Sequence, residues 1–360
     1  MKYKGLSTKI KDNIHLPRYM VLCTFFIILC TIFSSCKKDK PNENQVEHRF
    51  QSGKGVFVLN EGNFNWGNAS VDYIQFESGE ISRNIFESTN GFPLGDVLQS
   101  AYVDQERLHL VVNNSGRIRI VNLSDFKYKH SSAHLQSPRY MIAHGDRVFV
   151  SDLYANRLHV LRKSDLTLLQ SISLSGWVEQ MILSGEELVL ANVRRHKLYF
   201  FNVNSLNIVD SLSVPDAPMF LQGDREGKLW VLSYGELFPE TQGGLVQVDA
   251  ASRSIIKSLT FPLGDHPTRL SMNSSKDTVY FINKNVYRMA IQDGALPTIP
   301  FINGVGRNFY ALGIHPANGE VWVGDALDFV QPGRILRYTS SGNFKSEYVC
   351  GIIPGGFVFW

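Results

Sequence analysis

One short apolar strand recurs seven times along the chain, and nothing else in the sequence constrains the fold so tightly. It reads Val56-Phe57-Val58-Leu59, Leu108-His109-Leu110-Val111-Val112, Val148-Phe149-Val150, Leu188-Val189-Leu190, Leu229-Trp230-Val231, Val279-Tyr280-Phe281 and Val321-Trp322-Val323. The copies start at 56, 108, 148, 188, 229, 279 and 321, a period near 40 with two longer steps. Repeats of this length with about four strands each predict a β-propeller. Such a fold gathers loops from every blade around one axis.

Within a repeat, period-two alternation bounded by turn residues marks three strands. In the third repeat these are 147–151, 158–161 and 168–174. A fourth, innermost strand is expected upstream of each triplet, at 98–103, 139–143, 178–183, 219–222, 268–272 and 309–314. The repeat at Val56 has no strand before it. Residues 356–360 are therefore expected to complete it, which removes an exposed sheet edge. The expectation is an all-β, seven-bladed β-propeller over residues 53–360. It has four antiparallel strands per blade, the C-terminal strand closing the first, and no helix.

The N-terminus reads as an address. Lys2, Lys4, Lys9, Lys11 and Arg18 face one acid, Asp12, and an apolar run at 19–33 leads to Ser34-Ser35-Cys36. This is the pattern of a secretory signal, and the run is shorter than the about 20 apolar residues a spanning helix needs. Phe33-Ser34-Ser35-Cys36 resembles a bacterial lipobox, with Phe where Leu is usual. That implies removal of residues 1–35 and lipidation of Cys36. The polar stretch 37–51 is expected to be disordered, so that residues 36–52 tether the domain at a membrane surface. The whole chain carries +3, and the leader takes a net +4 with it, leaving about −1. No basic patch points to nucleic acid. Of four cysteines, Cys23 and Cys30 leave with the leader and Cys36 takes lipid. Cys350 is left alone, no internal disulfide is expected, and the core must carry stability.

Catalytic signatures are missing. There is no Gly-x-Ser-x-Gly elbow, Walker A segment, Gly-x-Gly-x-x-Gly or His-Glu-x-x-His. The ten histidines are scattered, and no cysteine pair is spaced for zinc. A non-enzymatic protein without metal or cofactor is expected.

The loops say more. In a four-stranded blade, turns entering the inner strand and turns leaving the second strand share one face. Three of the latter are enlarged, at 60–68, 234–242 and 325–332, and each mixes aromatics with amides or acids. Binding residues concentrate on loops held by a rigid scaffold. The candidates from these loops are Asn60, Asn63, Trp66, Phe238 and Phe329. The shorter equivalents add Asn113, Asn114, Tyr154, Asn192, Arg194 and Arg195. The turns entering inner strands add Gln99, Arg139, Tyr140, Trp177, Glu179, Phe220, Arg269, Asn308, Tyr310 and Phe357, with Arg139, Trp177, Arg269 and Asn308 the foremost candidates. Such a face suits a large, flat, hydrogen-bonding ligand. Rigid aromatics give contact area at small entropic cost, and amides and guanidinium groups orient.

Four segments carry a resemblance: Val58-Leu59-Asn60-Glu61-Gly62-Asn63-Phe64, Val111-Val112-Asn113-Asn114-Ser115, Val323-Gly324-Asp325-Ala326 with Pro332-Gly333, and Gly351-Ile352-Ile353-Pro354-Gly355. They resemble a family of seven-bladed propeller lipoproteins on the outer surface of gut Gram-negative bacteria. Its best-understood members capture vitamin B12 and related corrinoids and hand them to a TonB-dependent outer-membrane transporter. The resemblance implies a corrinoid ligand, such a transporter as partner, and a lipid anchor in the outer membrane, facing outward. It also implies roles. Trp66, Tyr154, Trp177, Phe238 and Phe329 would meet the flat and apolar surfaces of the ligand. Asn60, Asn113, Asn114, Asn192 and Asn308 would meet its amides. Arg139, Arg194, Arg195 or Arg269 would approach its phosphate, since guanidinium suits bidentate oxyanion contact. The same loops leave open a propeller that binds a glycan, another nutrient or a partner protein. A propeller enzyme would need metal ligands converging on the central channel.

Overall fold

The computed structural model describes residues 46–360, and there each apolar repeat is the second strand of its own antiparallel sheet. These strands are Gly55–Asn60, Arg107–Val112, Arg147–Asp152, Glu187–Asn192, Leu229–Ser233, Thr278–Asn283 and Val321–Asp325, and they are almost wholly buried. A strand covered on both faces reads as an unbroken apolar run, which is why the repeat is so visible. Outer strands such as Leu168–Ser173 and Asn207–Ser213 are largely exposed. The seven sheets, blades 1 to 7 in chain order, form a β-propeller.

Innermost strands fall where the alternation places them: Leu98–Asp104, Pro138–His144, Val178–Ser184, Pro218–Gly223, Thr268–Met272 and Phe309–Ile314. The last strand, Pro354–Phe359, closes blade 1. Val58 lies opposite Phe357 and Val56 opposite Phe359, and Gly55 and Trp360 exchange two 2.8 Å backbone hydrogen bonds. Phe357 and Phe359 pack against Trp322 of blade 7. Gly313 admits them, because a Cβ there would stand 2.9 Å from the Phe357 ring.

Adjacent blades meet through apolar side chains. The third residue of each second strand, or its equivalent, is Phe57, His109, Phe149, Val189, Trp230, Tyr280 or Trp322, all buried. Burying one side chain of Phe size is worth roughly 2–3 kcal/mol. His109 stands at a mostly aromatic position, and burial lowers its pKa to about 4, so the ring packs uncharged.

Three features depart from expectation. Blade 6 has three strands, not four, and in the stretch 291–308 the one strand-like pairing with it is an isolated bridge between Val286 and Ile302. Pro297 and Pro300 lie in that stretch and lack the N–H a ladder needs. A short helix, α1 (Ile85–Asn90), follows blade 1 and buries Ile85, Phe86 and Thr89. Six residues are too few for helical periodicity to show in a sequence. Third, Val46–Gln51 is docked, not a free leash. Phe50 is buried against Phe57, Tyr73 and Phe126, and the Val46 and Phe50 amides donate to the Ser88 and Ser124 carbonyls. The expected signal (1–35), Cys36 and the rest of the tether lie outside the described residues. Cys350 is a buried free thiol.

Candidate ligand-binding face

Every innermost strand carries a bulge just after its first residue. Register with the second strand breaks between Leu98 and Ser100, Pro138 and Met141, Val178 and Met181, Pro218 and Phe220, Thr268 and Leu270, and Phe309 and Ala311. A bulge frees a residue from the ladder and re-aims its side chain. The residues freed first are Gln99, Arg139, Glu179, Met219, Arg269 and Tyr310, and all six line one cavity. In blade 1 the break skips Gly355. A Cβ on Gly355 would lie 2.5 Å from Glu61 Oε1, so Glu61 fills the seventh place from the neighbouring loop.

The floor built this way is polar and charge-matched. Arg139 donates to both oxygens of Glu179, at 2.9 and 2.6 Å, and also to Gln99. Trp177 Nε1 donates to Glu179 Oε2 at 2.9 Å, and the Arg139 guanidinium lies 5.9 Å from the indole. Across the floor, Arg269 stands 3.6 Å from Glu61 and Tyr310 donates to Glu61 at 3.2 Å. The Arg269 guanidinium lies 4.6 Å from the Tyr310 ring. Burial pushes the Glu61 carboxyl above the usual carboxylate range, against the pull of Arg269 and Arg139. Burial also opposes the Arg139 charge, but Glu179 outweighs it and raises the guanidinium pKa further. Arg269 has φ +54, a left-handed conformation costing about 1–2 kcal/mol for a residue with a Cβ.

Above this floor the cavity holds about 480 Å³. Its walls are Trp177, Val193, Arg194, Ala217, Phe220, Thr268 and the loop from Tyr234 to Phe238. That loop is braced, since Thr241 Oγ1 accepts from the Glu236 amide at 2.8 Å and Tyr234 stacks on His266 at 4.7 Å. Phe238 at its tip is 93% exposed. Among the described residues no group of three His, Cys, Asp or Glu could hold a metal ion.

Of the residues singled out from sequence, Arg139, Trp177, Arg194, Phe238 and Arg269 come together here, as do Gln99, Glu179, Phe220 and Tyr310. Phe329 meets the cavity indirectly, edge-on to Tyr310 at 5.4 Å. Others are spent on the scaffold. Asn60 is wholly buried and donates to Ser70; Asn113 donates to Ser137 and the Pro138 carbonyl; Asn192 bridges the Ser175 carbonyl and the Arg195 amide. Asn63 ties its loop to the Phe329 carbonyl, Asn114 bonds Asn65 and Asp96, Arg195 bonds Ser175, and Asn308 bonds the Leu327 carbonyl. Trp66 and Tyr154 are exposed and do not line the cavity. The sequence reading passed over Met219 and Thr268. It also missed that Glu61 belongs to the floor. The recurring second position of the inner strand was the signal for Met219.

The fold and face define a seven-bladed propeller with a ligand-sized cavity at the loop-bearing end of its axis. The chain belongs to the family described as "Domain of unknown function (DUF5074)", which matches residues 54–330. No curated protein matches it. Among solved structures, it is similar to a quinonprotein alcohol dehydrogenase-like protein from Bacteroides thetaiotaomicron, with TM-score 0.69 and 14% identity over 85% of this chain and 78% of that one. A putative 6-phosphogluconolactonase from Bacteroides fragilis gives TM-score 0.63 and 12% identity over 89% of this chain and 100% of that one. Another, from Bacteroides uniformis, gives 0.61 and 12% over 86% and 100%. At these identities the likeness is one of fold.

Proposed function

We propose that this protein is a non-enzymatic, lipid-anchored protein of the outer cell surface. It captures a corrinoid on the cavity face and passes it to a TonB-dependent outer-membrane transporter. The observation that carries the reading is the cavity of about 480 Å³ opening on a broad face with aromatic loops. Phe64, Trp66, Tyr154, Phe238 and Val330 are all exposed on loops that leave second strands. Exposed apolar groups concentrated on one face mark a ligand or partner surface.

A corrin ring is broad and edged with amides, so it would lie across the mouth with one part entering the cavity. Arg139 and Arg269 already have carboxylate partners, which makes the exposed Arg194 the guanidinium best placed for a phosphate. Two of the segments behind the family resemblance also build the site. The Asn60 loop and the Gly351–Gly355 stretch pack so closely that a Cβ on Gly351 would stand 2.6 Å from Asn60 Nδ2. Together they place Glu61 in the floor.

Calorimetry of the full chain in detergent, against cyanocobalamin and cobinamide, tests the reading. Saturable one-to-one binding, weakened by Arg194→Ala, supports it. A folded protein that gives no heat with either ligand rules it out, and glycans and protein partners would then be screened on the same face.

A further inference from the structure

The cavity is more selective than the face around it. Both floor guanidiniums are matched, Arg139 by Glu179 at 2.6 Å and Arg269 by Glu61 at 3.6 Å. An anion pressed between them would meet two carboxylates that are almost out of water, and like charges there repel. A cation would meet the two guanidiniums in the same way. Between the two matched pairs the contacts left for a guest are neutral, from the Tyr234 and Thr268 hydroxyls, while Arg194 and Glu236 on the walls supply one charge of each sign.

The walls are aromatic and apolar, with Trp177, Phe220, Leu237 and Phe238 foremost. Trp177 is held before any ligand arrives, by its hydrogen bond to Glu179 and by the Arg139 guanidinium over its ring. A side chain already ordered loses little entropy on stacking. The volume of about 480 Å³ sits low in the range of small-molecule sites, roughly 300–1,000 Å³. It is cramped for a macrocycle and ample for a bicyclic ring.

We propose that this cavity takes an uncharged, planar heteroaromatic group. Resting on the corrinoid reading above, that group is the nucleotide base carried beneath the corrin ring. Corrinoids that carry a base are then held more tightly than those that lack one.

Calorimetry of the full chain with cyanocobalamin and with cobinamide, which has no base, reads the difference. Stacking of one base is worth about 1–3 kcal/mol, so cyanocobalamin is expected to bind about tenfold tighter. Phe238→Ala, at an exposed position that folding does not depend on, should narrow that ratio. Saturation-transfer NMR with free benzimidazole gives a second readout that does not involve a corrinoid. Signal is expected in the wild type and lost in Trp177→Ala. Equal affinity for the two corrinoids with no benzimidazole signal overturns the inference and leaves the corrinoid reading intact. Benzimidazole binding without corrinoid binding supports the cavity assignment and overturns the corrinoid reading.

Discussion

Two sets of residues lie at the same end of the propeller and do opposite work. One closes the second strands: Asn60, Asp152, Asn192, Ser233 and Asp325, with Asn113 one residue on in blade 2. These are buried, and most clip nearby loop backbone into place. Asp152 accepts from the Ser137 and Ala155 amides at 2.8 and 2.9 Å, Ser233 donates to the Pro215 carbonyl at 2.8 Å, and Asp325 accepts from the Asn308 and Leu327 amides at 2.9 and 3.0 Å. The other set sits at the bulges of the inner strands and faces the cavity. The first set varies little from blade to blade, because each blade must fasten its own loops. The second runs Gln, Arg, Glu, Met, Arg, Tyr, Gly, because one cavity shared among the blades need not repeat the symmetry of the fold. Within a repeat protein, sameness marks scaffold and divergence marks the site.

The largest effect should come from splitting a pair in the divergent set. Glu179→Ala leaves Arg139 almost buried without its carboxylate, and breaking such a pair costs about 3–5 kcal/mol. Urea unfolding reads the loss. Replacing both partners, as Arg139→Met with Glu179→Leu, should restore most of it, since a packed apolar pair is often as stable as a buried ion pair. If the double variant is as unstable as the single one, the pair belongs to the scaffold and the comparison fails.

Next comes the uniform set. Asp325→Ala strands two backbone amides, and its expected cost is about 2–3 kcal/mol. Asp325 also accepts from Arg307 at 3.4 Å, but no second side-chain change can restore the two main-chain contacts. A variant within error of the wild type in urea would show that these clips are not structural.

A smaller effect belongs to His109, which occupies a scaffold position. Its folded pKa of about 4 lies below the unfolded value near 6.5, so the unfolded chain takes up the proton first on acidification. The stabilising contribution is complete above pH 6.5 and is lost as pH falls through 4. One unit below the unfolded value, about 1 kcal/mol should already be gone. His109→Phe, the residue found at the matching places 57 and 149, should remove that part of the slope. An unchanged slope would place the titration elsewhere.

The fold was legible because burial on both faces writes an unbroken apolar run into every second strand, and because the unpaired first blade called for Gly356–Trp360. The short α1 and the missing outer strand of blade 6 were not. The helix is a packing plug without periodicity, and the lost strand is marked only by Pro297 and Pro300. The site was half legible. Arg139, Trp177, Arg194, Phe238 and Arg269 were found from their loops. Asn60, Asn113 and Asn192 were read as ligand contacts because an amide looks the same in a sequence whether it points outward or into its own blade. Their recurrence at the strand ends was the available clue. Glu61 could not be placed from sequence, since its role depends on the space at Gly355, almost the whole chain away.

The smallest effect on stability should come from the most exposed wall residue, and it tests the comparison most directly. Phe238 is 93% exposed, so Phe238→Ala should shift unfolding by no more than about 0.5 kcal/mol. A large side chain held in water at the edge of a cavity contributes little to folding, and its contact area is available to a guest. The same variant should therefore lose stacking with the bound group while its urea midpoint holds. A variant that unfolds earlier and binds as before would mean that the loop tip braces the blade. Phe238 would then belong with the scaffold and not with the ligand-facing wall.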